Sequence, residues 1–307
     1  GERVLAASCI RTPSEGMKVY TKDERSSKSR EMVIELLVTD QPKKEICHDP
    51  DSHFWQMADK VNVKKSRFDK RNPETIPEAD NSHVAMSVNL DACINCNLCV
   101  RACREVQVND VIGMGNRGHT SQVIFDFNDP MGDSTCVSCG ECVQACPTGA
   151  LMESNLLDEK GKKVVKPDRK VDSLCPYCGV GCQLTYNIKG EKIVSVDGRD
   201  GPANNNRLCV KGRFGFDYIH NPERLTKPLI RKDGIPKDPK ERIDPLNPLS
   251  HFREATWDEA LDLAASKLLK IRDSKNGKKA LAGFGCAKGS NEEAYLFQKL
   301  VRTGFHN

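Results

Sequence analysis

Long hydrophobic runs are absent from this chain of 307 residues. No stretch approaches the roughly 20 consecutive apolar residues that a membrane-spanning helix needs, so the sequence predicts no membrane span. Apolar residues are scarce at 38%, whereas charged residues make up 29%. Small domains with so little to bury need stabilisation from something besides a hydrophobic core. The composition therefore predicts a soluble, modular protein of two or three domains.

A methionine start is also lacking, because the first residue is Gly1. The chain stops at Asn307 without the sequence signs of a domain ending. We interpret the sequence as a fragment open at both ends, so that a signal peptide could precede Gly1.

Cysteine, in contrast, is abundant, with 15 residues. Most cysteines lie two or three residues from the next one, which suits ligands that converge on a metal site better than disulfide partners. Such sites are assembled in a reducing compartment, so we expect a cytoplasmic protein.

The strongest pattern is a cysteine run that occurs twice. Four cysteines spaced x2, x2 and x3 begin at Cys93, and the same spacing begins again at Cys136 and ends in Cys146-Pro147. A [4Fe-4S] cubane needs four thiolates, of which three come from one loop and the fourth from the other run. The pattern predicts two sites, formed by Cys93, Cys96, Cys99 and Cys146, and by Cys136, Cys139, Cys142 and Cys103. Zinc is the alternative, but zinc ribbons use pairs of cysteines rather than repeated quartets. The block resembles a two-cluster bacterial ferredoxin module.

A second pattern consists of Cys175, Cys178 and Cys182, followed after 26 residues by Cys209. We expect Gly179 and Gly181 to let the backbone approach a cluster closely. The arrangement resembles the N-terminal [4Fe-4S] domain of the molybdenum or tungsten bis-pterin oxidoreductases. In that family the lysine two positions after the last cysteine lies between the cluster and a pterin, and Lys211 matches it.

The resemblance continues towards the end of the chain. Residues 255–260, ATWDEA, resemble the segment that opens the pterin-binding body of these enzymes. The glycine-rich stretch 283–290 could direct backbone N–H groups at a pterin dinucleotide phosphate, although a plain helix-entry turn explains it nearly as well. Cys286 lies in this stretch, and we predict no ligand role for it because a lone cysteine is more often a small buried hydrophobe.

The order of these blocks, with the motif NNNRLCVK at residues 204–211, resembles the large subunit of NAD-dependent formate dehydrogenases. The resemblance implies formate as substrate, a bis-molybdopterin guanine dinucleotide cofactor with molybdenum or tungsten, and a partner subunit that carries flavin, NAD and iron–sulfur groups. It also implies an N-terminal [2Fe-2S] domain, of which Cys9 would be the last ligand. The family's catalytic cysteine or selenocysteine would lie beyond Asn307, so we predict no catalytic residue in this fragment.

Related chains carry a further cluster site of the type His-x3-Cys-x2-Cys, from which this sequence departs. Cys47, His48 and His53 do not form that pattern. We therefore predict no cluster ligands in residues 20–82, and the histidines as ordinary polar residues.

The predicted fold class is α+β and multidomain: a two-cluster ferredoxin-like module, then a [4Fe-4S] domain and the start of an α/β pterin body. The predicted boundaries are 1–20 (end of a [2Fe-2S] domain), 21–85 (helices and linker), 86–154 (ferredoxin module), 155–170 (linker), 171–226 ([4Fe-4S] domain) and 227–307 (truncated molybdopterin oxidoreductase domain). Within them we predict a helix over 31–40 and another over 53–61 with Ser52 as its N-cap. We also predict strands over 184–188 and 192–196 joined at Lys189-Gly190, and an irregular segment over 227–251. Capping boxes are predicted at Thr256–Glu259 and Ser290–Glu293.

The formal charge of +4 does not indicate a nucleic-acid partner. Each oxidised cubane with its four thiolates carries about −2, so three of them bring the loaded protein to about −2.

Three other functions stay open from the sequence. Another bis-pterin oxidoreductase, such as a nitrate reductase, would share the same arrangement of electron-transfer clusters and differ in its substrate. An iron-only hydrogenase also uses a ferredoxin pair but lacks the arrangement from Cys175 to Lys211. A non-catalytic ferredoxin-like subunit would require the resemblance after residue 250 to be accidental, which Trp257 and Ser290 argue against.

Overall fold

The computed structural model describes residues 4–238 and 240–307. Residues 1–3 and 239, which fall within the predicted segments 1–20 and 227–307, lie outside the described residues. The helices are α1 (Glu24–Thr39), α2 (His53–Lys60), α3 (Leu98–Arg101), α4 (Glu141–Ala145), α5 (Val210–Phe214), α6 (Trp257–Arg272) and α7 (Asn291–Lys299). The strands are β1 (Met86–Val88), β2 (Ile112–Gly115), β3 (Gln122–Phe125), β4 (Leu151–Glu153), β5 (Arg169–Leu174), β6 (Gln183–Lys189), β7 (Lys192–Gly198), β8 (Leu229–Arg231) and β9 (Phe252–Glu254).

An N-terminal helical lobe is built from α1 and α2 around its own apolar cluster. Trp55 and Ala58 of α2 are almost completely buried and pack with Cys47. Ser52 caps α2 as predicted, since its hydroxyl accepts a hydrogen bond from Trp55 N. Helix α1 begins earlier than the predicted 31–40 because the carboxylate of Asp23 caps its first turn.

The ferredoxin-like lobe follows and contains the largest apolar cluster. Strand β1 pairs antiparallel with β4, and β2 pairs antiparallel with β3. The first pair joins the two ends of the block, and the second lies between the two cysteine runs. Buried Met86, Ile112, Phe125 and Leu151 of these strands pack against cysteines of both runs.

A three-stranded antiparallel sheet in the order β5-β6-β7 forms the third lobe. The hairpin between β6 and β7 turns at Gly190 with φ +58°, as predicted for the Lys189-Gly190 turn. Leu184 and Val196 are fully buried beneath it. Strand β5 begins at Arg169, inside the stretch predicted as a linker, and all six of its residues are exposed.

The C-terminal lobe has a short β8–β9 pair, and then α6 and α7. Strand β8 lies in the stretch 227–251 that was predicted to be irregular, and β9 begins directly after it. The predicted capping box at Ser290–Glu293 is complete. The one at Thr256–Glu259 is half-formed: Thr256 accepts from Glu259 N, but the Glu259 carboxylate turns to Arg253 instead. A guanidinium offers the carboxylate a charged donor pair, which is stronger than one backbone N–H. None of the helices in the described residues is long and apolar enough to cross a membrane.

Candidate iron–sulfur sites

The structure brings the twelve predicted cysteines together in three groups. The first quartet is Cys93, Cys96, Cys99 and Cys146; the second quartet is Cys136, Cys139, Cys142 and Cys103; the third quartet is Cys175, Cys178, Cys182 and Cys209. In each group, the other three thiols lie close enough to raise the pKa of one member, which is Cys99, Cys142 and Cys182 respectively. None of the fifteen cysteines forms a disulfide in the described chain.

The loops that carry the first and second quartets have the same backbone shape. At the second and fourth positions after the first cysteine the backbone is left-handed: φ is +53° at Asn95 and +61° at Asn97, and +57° at Ser138 and +70° at Gly140. Non-glycine residues rarely adopt this region, so its repetition at matching offsets marks a shared loop design. In both loops an N–H points inwards, from Asn95 to Cys93 Sγ and from Ser138 to Cys136 Sγ, each at 3.4 Å.

The first quartet surrounds a small cavity of about 20 Å³. All four cysteines line it, with Leu90, Val123 and Leu151 among its apolar walls. Burial raises the pKa of Cys99, the neighbouring Cys146, Cys93 and Cys96 thiols add to the shift, and together they bring the pKa to about 12. The hydroxyl of Thr148 lies 3.6 Å from Cys146 Sγ. Cys146, from the second run, thus joins the loop of the first run, as the predicted exchange of fourth ligands requires.

The second quartet is the most deeply buried of the three. Burial raises the pKa of Cys142 far above its usual value, and Cys139, Cys136, Cys99 and Cys103 add to the shift in that order. Cys103 reaches this group from a π-helical turn, Ala102–Val106, that continues α3; such turns are frequent at functional sites. Its sulfur accepts a hydrogen bond from Val111 N at 3.4 Å. The influence of Cys99 on Cys142 also shows that the first two quartets are close to each other.

The third quartet is more open to solvent, with Cys178 and Cys209 exposed. Burial raises the pKa of Cys182, and the nearby thiols of Cys175, Cys178 and Cys209 raise it by smaller amounts. Lys211 lies near enough to Cys175 to lower the pKa of that thiol, although burial raises it overall. The loop is closed by a hydrogen bond from Cys175 N to Cys182 O at 2.9 Å.

The glycines of this loop also have roles in the fold itself, and their predicted close approach to a cluster stays a prediction. A Cβ on Gly179 would lie 2.5 Å from Ala287 O, so Gly179 allows the glycine-rich stretch to pack on the cysteine loop. Gly181 is required by its φ of +71°, and a Cβ there would meet no protein atom within 4 Å. Gly212 is the residue whose Cβ would approach a ligand, at 3.6 Å from Cys175 Sγ.

The quartets have the features that a cubane requires: thiols grouped in fours, an apolar cavity at the first quartet, and N–H groups directed at sulfur. Within residues 4–238 and 240–307, no three His, Cys, Asp or Glu side chains converge closely enough to hold a single metal ion.

The N-terminal helical lobe supports the first quartet from outside. Phe54 N, in the first turn of α2, donates to Pro147 O at 2.9 Å, directly after Cys146. Gln41 Nε2 donates to Ala92 O at 3.0 Å, and Arg71 donates to Leu90 O at 3.3 Å, both just before Cys93. A segment predicted only to lack ligands therefore holds both ends of a cysteine site in place.

The remaining candidate residues lie apart from the quartets. Cys9 is exposed in a short turn, Ser8–Ile10. Cys47 is buried in the N-terminal lobe, and His48 bridges Asp91 Oδ1 at 2.8 Å and Gly161 O at 2.7 Å. Cys286 is exposed rather than buried, and its sulfur accepts from Lys288 N.

Glu153, which the sequence gave no reason to single out, is a buried acid between the ferredoxin-like and third lobes. Its Oε2 has no hydrogen-bond partner among the described residues. Burial raises the pKa of Glu153 to about 7, which Arg213 opposes and Asp197 reinforces.

The raised pKa of Glu153 predicts that the stability of the protein depends on pH. Between its ordinary pKa of 4.5 and about 7, the folded chain keeps a proton that the unfolded chain has released, so stability falls as the pH rises. Above pH 7 the burial of the ionised carboxylate lowers the free energy of unfolding by about 3 kcal/mol. We expect Glu153→Gln to raise the apparent melting temperature at pH 8 but to leave it little changed at pH 5, as measured by anaerobic thermal scans. The exposed Glu159→Gln should follow the wild type at every pH, and parallel profiles for all three proteins would contradict this assignment.

Three family models match consecutive parts of the chain. Residues 92–150 match the family described as 4Fe-4S dicluster domain, residues 168–221 match the molybdopterin oxidoreductase Fe4S4 domain, and residues 224–307 match molybdopterin oxidoreductase. The chain therefore contains a 4Fe-4S dicluster domain, a molybdopterin oxidoreductase Fe4S4 domain and a segment that matches the molybdopterin oxidoreductase family.

Three curated relatives are similar to this chain over most of its length. The chain is 34% identical over 275 residues to "Probable oxidoreductase YjgC" of Bacillus subtilis, a match that covers 76% of this chain and 26% of the relative. It is 35% identical over 252 residues to a "Putative formate dehydrogenase" of Staphylococcus haemolyticus, covering 70% of this chain and 24% of the relative. A protein of the same name from Staphylococcus aureus is 34% identical over 246 residues, covering 68% and 23%. The chain thus spans about a quarter of the length of these relatives.

Among solved structures, the crystal structure of NAD+-reducing [NiFe]-hydrogenase in the H2-reduced state is 24% identical in sequence and has a TM-score of 0.44. The match covers 48% of this chain and 64% of that chain.

Proposed function

We propose that this chain is the electron-transfer portion of a formate dehydrogenase large subunit. In this proposal it passes electrons from a molybdenum or tungsten pterin centre through three [4Fe-4S] clusters towards a partner that binds flavin and NAD. The observation that carries the proposal is the grouping of twelve cysteines into three quartets, with Cys103 and Cys146 exchanged between the two ferredoxin-like loops.

The residues of the chain would hold the clusters and adjust their surroundings. When bound, each cubane accepts and releases one electron. The thiols fix its position, and the N–H groups of Asn95, Val111 and Ser138, which point at sulfur, would stabilise the more negative, reduced state. Burial of the first two quartets would limit the access of water and oxygen.

The contacts between lobes support an order for the route. Gln107 Nε2 donates to Leu208 O at 2.9 Å, so the residue before Cys209 touches the helix that carries Cys103. The second quartet in turn lies beside the first, through Cys99 and Cys142. Electrons from the third quartet would therefore enter the second quartet before the first.

The parts of the enzyme beyond these quartets are proposed from the family resemblance and from the names of the relatives. Lys211, which is close to Cys175, would lie between the third cluster and a bis-molybdopterin guanine dinucleotide. Cys9 would complete a [2Fe-2S] site. Formate would be the substrate, and the complex would work in the cytoplasm.

Iron counting tests the proposal directly. After anaerobic reconstitution we expect about twelve irons per chain, because each of the three cubanes contains four. Dithionite should bleach the brown colour and produce low-temperature EPR signals, because one-electron reduction makes each cluster paramagnetic. Zinc should be counted on the same samples. About three zincs and no iron, or a colourless protein without EPR signals, would refute the proposal.

A further inference from the structure

Arg213 is a buried cation at the boundary between the ferredoxin-like lobe and the third lobe. It belongs to α5, which follows Cys209, and its side chain is 1% exposed. Towards the ferredoxin-like lobe, Nη1 donates to Gln144 Oε1 at 2.6 Å and Nε donates to Cys139 O at 3.3 Å. Within its own lobe, Nη1 donates to Val196 O at 2.9 Å.

The backbone of Arg213 extends the connection. Its N–H donates to Cys209 O at 3.0 Å, while its guanidinium reaches Cys139 O. One residue thus links the carbonyl of a third-quartet cysteine to the carbonyl of a second-quartet cysteine. A Cβ on Gly140 would lie 2.8 Å from Arg213 Cγ, so the second loop is shaped to the arginine stem. Within the described chain, Arg213 donates no hydrogen bond to a first-quartet cysteine.

The charge of Arg213 is only partly balanced. Within the described chain its ion-pair partner is Glu141, whose Oε2 lies 3.4 Å from Nη2, and the buried Glu153 is near enough for Arg213 to lower the pKa of that carboxyl. The other acceptors are neutral carbonyl and amide oxygens. A positive charge in a dry interface acts on nearby groups more strongly than it would in water. Since reduction adds negative charge to a cluster, this cation favours reduction at both neighbouring quartets.

We propose that Arg213 is a positioning residue that fixes the third quartet against the second and raises the reduction potentials at both. The inference rests on the proposed function. The step that it serves moves one electron from a reduced cubane at the third quartet to an oxidised cubane at the second. The donor gains one positive charge, the acceptor loses one, and no proton moves and no bond changes.

Two variants separate the two roles of the arginine. Arg213→Met removes both the charge and the hydrogen bonds, whereas Arg213→Lys keeps the charge but cannot reach all the acceptors from one ammonium group. The control is Arg207→Gln, which removes a charge from an exposed position two residues before Cys209, where water and salt screen it. The full chain is reconstituted anaerobically and titrated with dithionite while EPR is recorded. The signals are assigned with Cys93→Ala and Cys178→Ala.

For Arg213→Met we expect retained iron and a selective change of potential. We compare the proteins at the solution potential at which half of the wild-type second-site clusters are reduced. At that potential the ratio of reduced to oxidised second-site cluster should be about tenfold lower in the variant, which corresponds to a reduction potential lower by 59 mV for one electron. The third site should shift in the same direction and the first should not. Arg213→Lys should keep the potentials but weaken the magnetic interaction between the reduced second and third sites. Arg207→Gln should match the wild type.

Unchanged potentials and unchanged magnetic interaction in iron-loaded Arg213→Met would overturn the inference. If that variant loses iron, Arg213→Lys decides: a weakened interaction with full iron supports the inference, and an unchanged one overturns it. Loss of iron from both variants would show a purely structural role and would also overturn it. A wild-type chain that binds no iron would instead refute the proposed function.

Discussion

Replacing Cys93 and Cys146 together by alanine is expected to remove about four irons, whereas replacing Cys93 and Cys103 together is expected to remove about eight. The structure places Cys146 in the first quartet and Cys103 in the second, although each belongs to the opposite run. The first pair of substitutions therefore damages one site, and the second pair damages two. If each run bound its own cluster, the two pairs would give the opposite iron losses. The experiment therefore tests whether the fourth ligand of each site comes from the other run.

Each single variant sets the baseline of about four lost irons, and the pairs are compared with it as a double-mutant cycle. Cys47→Ala and Cys286→Ala are the controls, because neither residue belongs to a quartet, and both should keep all the iron. Iron and sulfide counts on anaerobically purified protein measure the outcome. A loss of four irons from the Cys93/Cys103 pair, with eight from the Cys93/Cys146 pair, would mean that each run binds its own cluster.

Replacing Trp55 by alanine is expected to destabilise the N-terminal lobe by about 3–5 kcal/mol, because the indole is almost completely buried and its removal leaves a cavity. For a lobe of this size, that loss of stability corresponds to a fall of about 12–40 °C in the apparent melting temperature of the lobe. Since Phe54 N in the same helix holds Pro147 O, the loosened lobe should also release iron from the first quartet faster than from the other two.

The matched control is Met57→Ala, on the exposed side of the same helix, which should change the melting temperature little. Thermal scans give the stability, and EPR during slow exposure to a chelator gives the rate of iron loss at each site. Equal melting temperatures for both variants, or equal loss from all three quartets, would show that the lobe does not support the first site.

The short-range patterns predicted much of this structure. The helix with its Ser52 cap, the hairpin turning at Gly190 and the capping box at Ser290 all appear. These features depend on neighbours a few residues away, which a sequence displays directly. The sequence also predicted that Cys146 lies with the first loop, because a cubane needs four thiolates and each run supplies three from one loop.

Features decided by distant parts of the chain were missed. Strand β5 is polar and exposed, so it had no alternating pattern, and it exists because it pairs with β6 along its whole length. Arg213 was overlooked because a basic residue in a short helix normally faces water, whereas here another lobe supplies its acceptors. Glu153 was missed for the same reason, since its burial depends on how two lobes meet.

The matching left-handed positions at Asn95, Asn97, Ser138 and Gly140 have one more consequence. Two sites enclosed by the same main-chain path form an internal control for each other. Any gap between their midpoint potentials has to come from what surrounds the loops, such as the Thr148 hydroxyl at one site and the Arg213 cation near the other. Exchanging such neighbours would then set the direction of electron flow without altering the ligands.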